Sequence, residues 1–234
     1  MSKKVVVLQS NYIPWKGYFE LIHEADVFCF YDEVQYTKND WRNRNRILGP
    51  NGLFWITVPV EKDAVNGKIS EALITNSSWQ KKHFKTIEQT YSKSINKTDV
   101  LAMLEPIYMG KEWTSISQLN QHLIKTISEF MGISTEFKNS ADFNLKGDRI
   151  DRLKNLINQL DGTEYISGPA AKNYLAENES FFAKDNIQLV YKEYGPYLSY
   201  DNKKKEFEDS VSILDLIMNV QKEDCLKYIK SQIK

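Results

Sequence analysis

Several features that mark common protein classes are scarce in this chain of 234 residues. There are two cysteines, Cys29 and Cys225, far apart and without C-x-x-C or metal-ligand spacing. That pattern argues against a disulfide framework or a zinc site, and both side chains read as buried thiols in a reducing compartment. An excess of one charge is also missing, because 31 lysines and arginines balance 31 aspartates and glutamates. No global field is available to hold nucleic acid or a membrane surface, so any anion site must be local. Long apolar runs are missing too. The basic pair Lys3-Lys4 precedes only a short stretch, residues 5–8, which is too brief for a signal-peptide core or a bilayer span. The expectation is a cytoplasmic protein with no membrane span. Finally, G-x-S-x-G, H-E-x-x-H and the dinucleotide G-x-G-x-x-G are absent, and there is no credible catalytic cysteine in a charged setting. An enzyme nucleophile and a catalytic metal are therefore unsupported, and no metal ligands are assigned.

What is present alternates in the manner of an α/β protein. Residues 5–8 form a short β-branched run, residues 12–25 carry Phe19, Ile22 and His23 at helical spacing, and residues 27–31 read as a second strand. Such a β-α-β unit predicts parallel pairing, with ligands collecting at the carboxyl ends of the strands, here residues 9–12 and 31–35. A third strand is expected at 54–60, ending at Pro59. Helices are expected from Ser78 and over 116–131, 149–160 and 211–220, the last capped by Ser210, with a further helix from Pro169. Strands are expected at Glu164–Ser167 and 187–193. The fold class that follows is α/β, with a Rossmann-like N-terminal β-α-β core, a largely parallel sheet and helical additions in a single compact unit. One domain over 1–234 is expected, divisible into an α/β core at 1–105 and a helix-rich α/β portion at 106–234. Lys203-Lys-Lys205 reads as a solvated loop.

Three stretches carry chemistry. In Lys38-Asn-Asp-Trp-Arg-Asn-Arg-Asn-Arg46, an extended backbone would put Arg42, Arg44 and Arg46 on one face and Asn43 and Asn45 on the other. Arginine forks match phosphate oxygens, and asparagine amides match sugar hydroxyls or a base; Lys38 and Trp41 flank them. The same pattern also fits an exposed charged edge strand. Residues 9–18 place Gln9, Asn11, Tyr12, Trp15 and Tyr18 directly after the first strand, with Pro14 and Gly17 fixing the path. They serve either as a platform for a sugar ring or base or as local packing. The layout is similar to that of nucleotidylyltransferases, yet Trp15-Lys-Gly-Tyr18 stands where their H-x-G-H would, without either histidine. Asp32 and Gln35 follow the second strand; Asp32 could orient an amine or pair with the arginines. His83 is a candidate general base, although Trp79 and Ile87 on the same helical face equally suit a packed core histidine. In the third stretch, Ser167-Gly-Pro-Ala-Ala-Lys172, turn amides could meet phosphate beside Ser167 and Lys172.

Taken together, Val7-Leu-Gln-Ser-Asn-Tyr-Ile-Pro-Trp-Lys-Gly-Tyr-Phe19, Tyr31-Asp-Glu-Val-Gln-Tyr36, Trp41-Arg-Asn-Arg-Asn45, Trp79-Gln-Lys-Lys-His83, Ser167-Gly-Pro-Ala-Ala-Lys172 and Ser212-Ile-Leu-Asp-Leu216 resemble the WbqC-like family. The resemblance covers almost the whole chain. It implies a role in bacterial surface-polysaccharide (O-antigen, lipopolysaccharide) biosynthesis, as an N-acyl or aminoacyl transferase of the glycine type acting on the amine of a nucleotide-linked amino sugar. It also raises His83 to a functional residue. The acyl donor stays open between a coenzyme A thioester, a carrier-bound group and an ATP-activated one. Two other functions stay open beside this one: a nucleotidyl-transferase or ligase using a nucleoside triphosphate, and a noncatalytic glycan- or nucleotide-binding protein. The resemblance further implies a glutamine-containing loop near residues 201–207, where lysines stand instead.

Overall fold

A computed structural model describes residues 2–202 and 208–232. Residues 203–207, with the lysines assigned to a solvated loop, lie outside the described residues. Five strands form one parallel sheet: β1 (Lys4–Leu8), β2 (Val27–Phe30), β5 (Glu136–Asn139), β6 (Glu164–Ser167) and β7 (Gln188–Tyr191), in the order β5-β2-β1-β6-β7. Helix α1 (Lys16–Glu24) makes the predicted crossover from β1 to β2. The short apolar strands alternate their side chains between two cores. Val6, Phe28 and Phe30 face one, while Val5, Val7, Val27 and Cys29 face the other. Both faces are thus covered, as a parallel sheet requires.

The larger core packs α1, α2 (Ser78–Thr90), α3 (Lys97–Met109), α4 (Ile116–Phe130) and α8 (Leu214–Asn219); the smaller packs α5 (Arg149–Gln159), α6 (Lys172–Leu175) and α7 (Glu179–Ala183). A last short helix, α9, spans Cys225–Tyr228. Ser115 caps α4 by accepting from the Gln118 amide, and Asp148 caps α5 through the Ile150 and Asp151 amides. Both cysteines are buried, and burial pushes each thiol up to about 12. No helix among the described residues is long and apolar enough to cross a membrane.

Three expectations need correction, and two elements are new. The strand expected at 54–60 is β4 (Gly52–Thr57), and it leaves the main sheet to pair antiparallel with β3 (Arg44–Gly49) in a separate hairpin. Pro59 ends it, as a residue with no amide to donate must. The helix expected at 211–220 begins only at Leu214, and the Ser210 hydroxyl bonds to Glu208 and Arg46 instead of capping it. At Pro169 the chain first makes a 3-10 turn, Pro169–Ala171, and α6 follows. Helix α3 and the edge strand β5 were not anticipated.

Candidate functional site

Residues 9–18 and 32–46 lie side by side beyond the carboxyl ends of β1 and β2. The Tyr12 amide donates to the Trp41 carbonyl at 2.9 Å. The buried Asn45 amide donates to the carbonyls of Tyr12 at 3.1 Å and Ile13 at 2.8 Å. Ile13 has φ +37°, a left-handed conformation in which a β-branched residue is strained, and this asparagine clamps the turn. Gly17 follows because a Cβ there would run into the Trp15 ring. Asn43 donates to the Val58 carbonyl at 2.8 Å. Both asparagines therefore act inward, fixing loop to hairpin.

The three arginines separate. Arg42 lies in the turn before β3, and its guanidinium donates to the side-chain oxygens of both Gln9 and Asn11, with the Asp40 carboxylate 3.7 Å away. Arg44 and Arg46 share one face of β3 with Trp55 of β4, the Arg44 guanidinium 4.3 Å and that of Arg46 6.0 Å from the indole. Trp41 stacks obliquely on Trp55 at 5.4 Å, and both indoles are exposed. Arg46 also donates to the Ser210 hydroxyl at 2.8 Å.

Two cavities flank these groups. One, of about 190 Å³, is lined by Asn11, Pro14, Trp15, Trp41, Asn45, Arg46 and Ser210. The other, of about 530 Å³, opens at the carboxyl end of the main sheet and includes Gln9, Tyr31, Gln35 and Arg149 in its wall. Gln9 faces the larger space and Asn11 the smaller, so the Arg42 guanidinium ties the two walls together.

The remaining expected residues have other surroundings. Asp32 is buried, and its carboxylate accepts from the Ser10 amide at 2.8 Å, the Ser117 hydroxyl at 2.5 Å and the Gln121 amide at 3.0 Å. It pins the loop after β1 to α4. His83 is buried against Tyr12 and Trp79; the Tyr12 hydroxyl meets its Nδ1 at 2.8 Å and the Tyr108 hydroxyl at 2.6 Å. Burial first, then the Lys82 charge, lowers the imidazole to about 4, against a raising contact with the Thr57 backbone. The Tyr12 hydroxyl thus links this ring to the loop after β1. Burial also drives Tyr12 and Tyr18 well above the ordinary phenol range, and Tyr18 donates to the Gln9 carbonyl at 2.9 Å. Lys38 and Lys172 are exposed, and Ser167 ends β6 accepting a 3.3 Å bond from Tyr165. None of these three lines either cavity.

Sequence reasoning missed Arg149 and Tyr174 in the larger cavity, although α5 is preceded by the cap signal Gly147-Asp148 and had to start at the carboxyl end of the sheet. It also missed Lys16, buried in an ion pair with Asp209 and 4.6 Å above the Tyr197 ring; burial lowers its pKa, opposed by Asp209.

The model of the WbqC-like protein family matches residues 9–226, which hold both cavity linings except Val7 and Leu8. The chain belongs to the WbqC-like protein family. A relative from Mycobacterium tuberculosis, the uncharacterized protein Rv1507c, is 44% identical over 231 residues, 97% of this chain and 99% of its own length. No solved structure matches the chain. The first three stretches on which the resemblance rests surround these cavities: residues 7–19 run from the end of β1 through the loop into α1, 31–36 follow β2, and 41–45 form the turn and first residues of β3. The motif at 212–216 has a structural place as well. The Ser212 amide donates to the Arg46 carbonyl at 3.0 Å and that of Ile213 to the Pro14 carbonyl at 2.8 Å, holding hairpin and loop together.

Proposed function

We propose that this member of the WbqC-like family is a transferase of surface-polysaccharide biosynthesis that moves an acyl or aminoacyl group onto the amine of a nucleotide-linked amino sugar. The observation carrying this reading is that Gln9 of the larger cavity and Asn11 of the smaller are joined through the Arg42 guanidinium, an arrangement suited to holding two substrates next to each other. The acceptor belongs to the smaller space and the hairpin face beside it. Arg44 and Arg46 meet the diphosphate there, with Trp41, Trp55 and Trp15 as ring platforms. In the reaction the neutral amine attacks the acyl carbonyl carbon, the bond from that carbon to its carrier breaks, and the amine proton leaves with the carrier or solvent. Positioning supplies much of the rate in such a step, and no enzyme nucleophile is required. In this reading Asp32 and His83 are positioning residues that hold the loop.

Calorimetric titration with a nucleotide-linked amino sugar tests the acceptor half. Arg44→Ala is expected to weaken binding at least about tenfold, the scale of one lost charge-assisted fork, with an unchanged melting temperature. Normal binding by that variant would remove the hairpin from the site.

A further inference from the structure

The larger cavity exists because the sheet comes apart there. Strands β1 and β2 stay paired to Leu8↔Phe30, whereas β1 and β6 pair only at Lys4↔Glu164 and Val5↔Tyr165. Beyond Val5 the two strands diverge, and the opening of about 530 Å³ is bounded by Val7, Leu8 and Gln9 on one side and Tyr165 on the other. This is also where the chain reverses direction across the sheet: the strands after β1 run first towards β5 and then towards β7. Such a reversal leaves a crevice outside the carboxyl ends of the strands.

The walls specify the chemistry of an occupant. Val7, Leu8, Val34 and Leu153 are aliphatic, and Tyr31 and Tyr165 supply rings. Among the described residues of this lining, Arg149 is the one basic or acidic side chain. Its guanidinium lies 4.1 Å from the centre of the exposed Tyr174 ring, a contact that holds it in place while leaving its fork free to meet an anion. The first amides of α5 already donate to Asp148, so anion recognition here falls to the guanidinium and not to the helix end. The volume suits a ligand of nucleotide size.

We infer that this cavity takes a phosphorylated nucleoside, the nucleotide handle of the activated acyl donor, with the phosphate on Arg149 and the base among Tyr31, Val34 and Leu153. The inference rests on the two-substrate reading above and adds to it the class of the donor. Gln9, joined to Asn11 through Arg42, then stands between handle and acceptor.

Calorimetry with ADP as the probe tests this on the full chain. The wild type is expected to bind ADP; Arg149→Ala should lose about tenfold or more, and Arg149→Lys should lose less. Adenosine without phosphate should bind at least about tenfold more weakly than ADP. Thermal melting of each variant checks that the fold is kept, which the exposed position of Arg149 favours. No ADP binding by the wild type, or unchanged binding by a folded Arg149→Ala, overturns the inference while leaving the acceptor site on the hairpin to stand on its own titration. A nucleotide amino sugar that displaces ADP and depends on Arg149 instead of Arg44 overturns both assignments.

Discussion

At the scale of single residues, Asp32 and His83 hold the loop in place in the proposed reading. His83 illustrates the sign of the effect. Its folded-state pKa of about 4 lies below the ordinary value of 6.5, so the neutral ring's contribution is fully present above about pH 6.5 and is lost as pH falls towards 4. Two to three pKa units correspond to roughly 3 kcal/mol. Urea unfolding at pH 7 and pH 5 should show a loss of stability that is largely absent in His83→Gln, and that variant should itself cost about 1–3 kcal/mol at pH 7. A normal urea midpoint with turnover cut by about 10²–10⁴-fold would instead make His83 a general base. Asp32→Ala would leave the Ser10 amide, the Ser117 hydroxyl and the Gln121 amide without their acceptor. A cost of about 2–4 kcal/mol in chemical denaturation is expected, because several buried donors are orphaned at once. Neither role could be separated from catalysis by residue type alone, since a buried acceptor and a catalytic carboxylate have the same one-letter code.

At the scale of elements, the hairpin of β3 and β4 presents the proposed acceptor face and is the less supported of the two sheets. Its outer strand β4 is mostly exposed and pairs on one side only, whereas β1 and β2 lie between two cores. Amide hydrogen exchange should therefore be fastest in β4, slower in β3, which α8 and the Ser212 amide hold, and slowest in β1 and β2. Protection of β4 equal to that of β1 would contradict this ranking. The β-α-β unit was legible in the sequence because its strands are short continuous apolar runs and its helix keeps a regular period. The hairpin was half legible. Alternation correctly put Arg44 and Arg46 on one face, but the start of β3 was not visible, so Arg42 was grouped with them although it turns back to Gln9 and Asn11. Strand β5, Glu136-Phe-Lys-Asn139, is a four-residue edge with little apolar pattern, and α3 carries Pro106 within it, so neither stood out. Arg149 and Tyr174 meet β1 only through pairing of the sheet, a long-range fact that local patterns do not carry.

At the scale of the whole molecule, a parallel sheet brings the loop after β1, the turn before β3 and the start of α5 to one end, where two cavities are linked through Arg42. That arrangement is the central claim, and it predicts group transfer between two bound ligands. The direct measurement is mass spectrometry of a nucleotide-linked amino sugar after incubation with the protein and each donor class: acyl coenzyme A thioesters, a carrier-bound acyl group, and an amino acid with ATP. The account predicts that one donor adds the mass of an acyl or aminoacyl group, less the amine proton it replaces, to the sugar, and that Arg44→Ala and Arg149→Ala each slow this about tenfold or more without changing the melting temperature. A sugar that binds tightly yet gains no mass with any donor would contradict the account and leave a binding protein in its place.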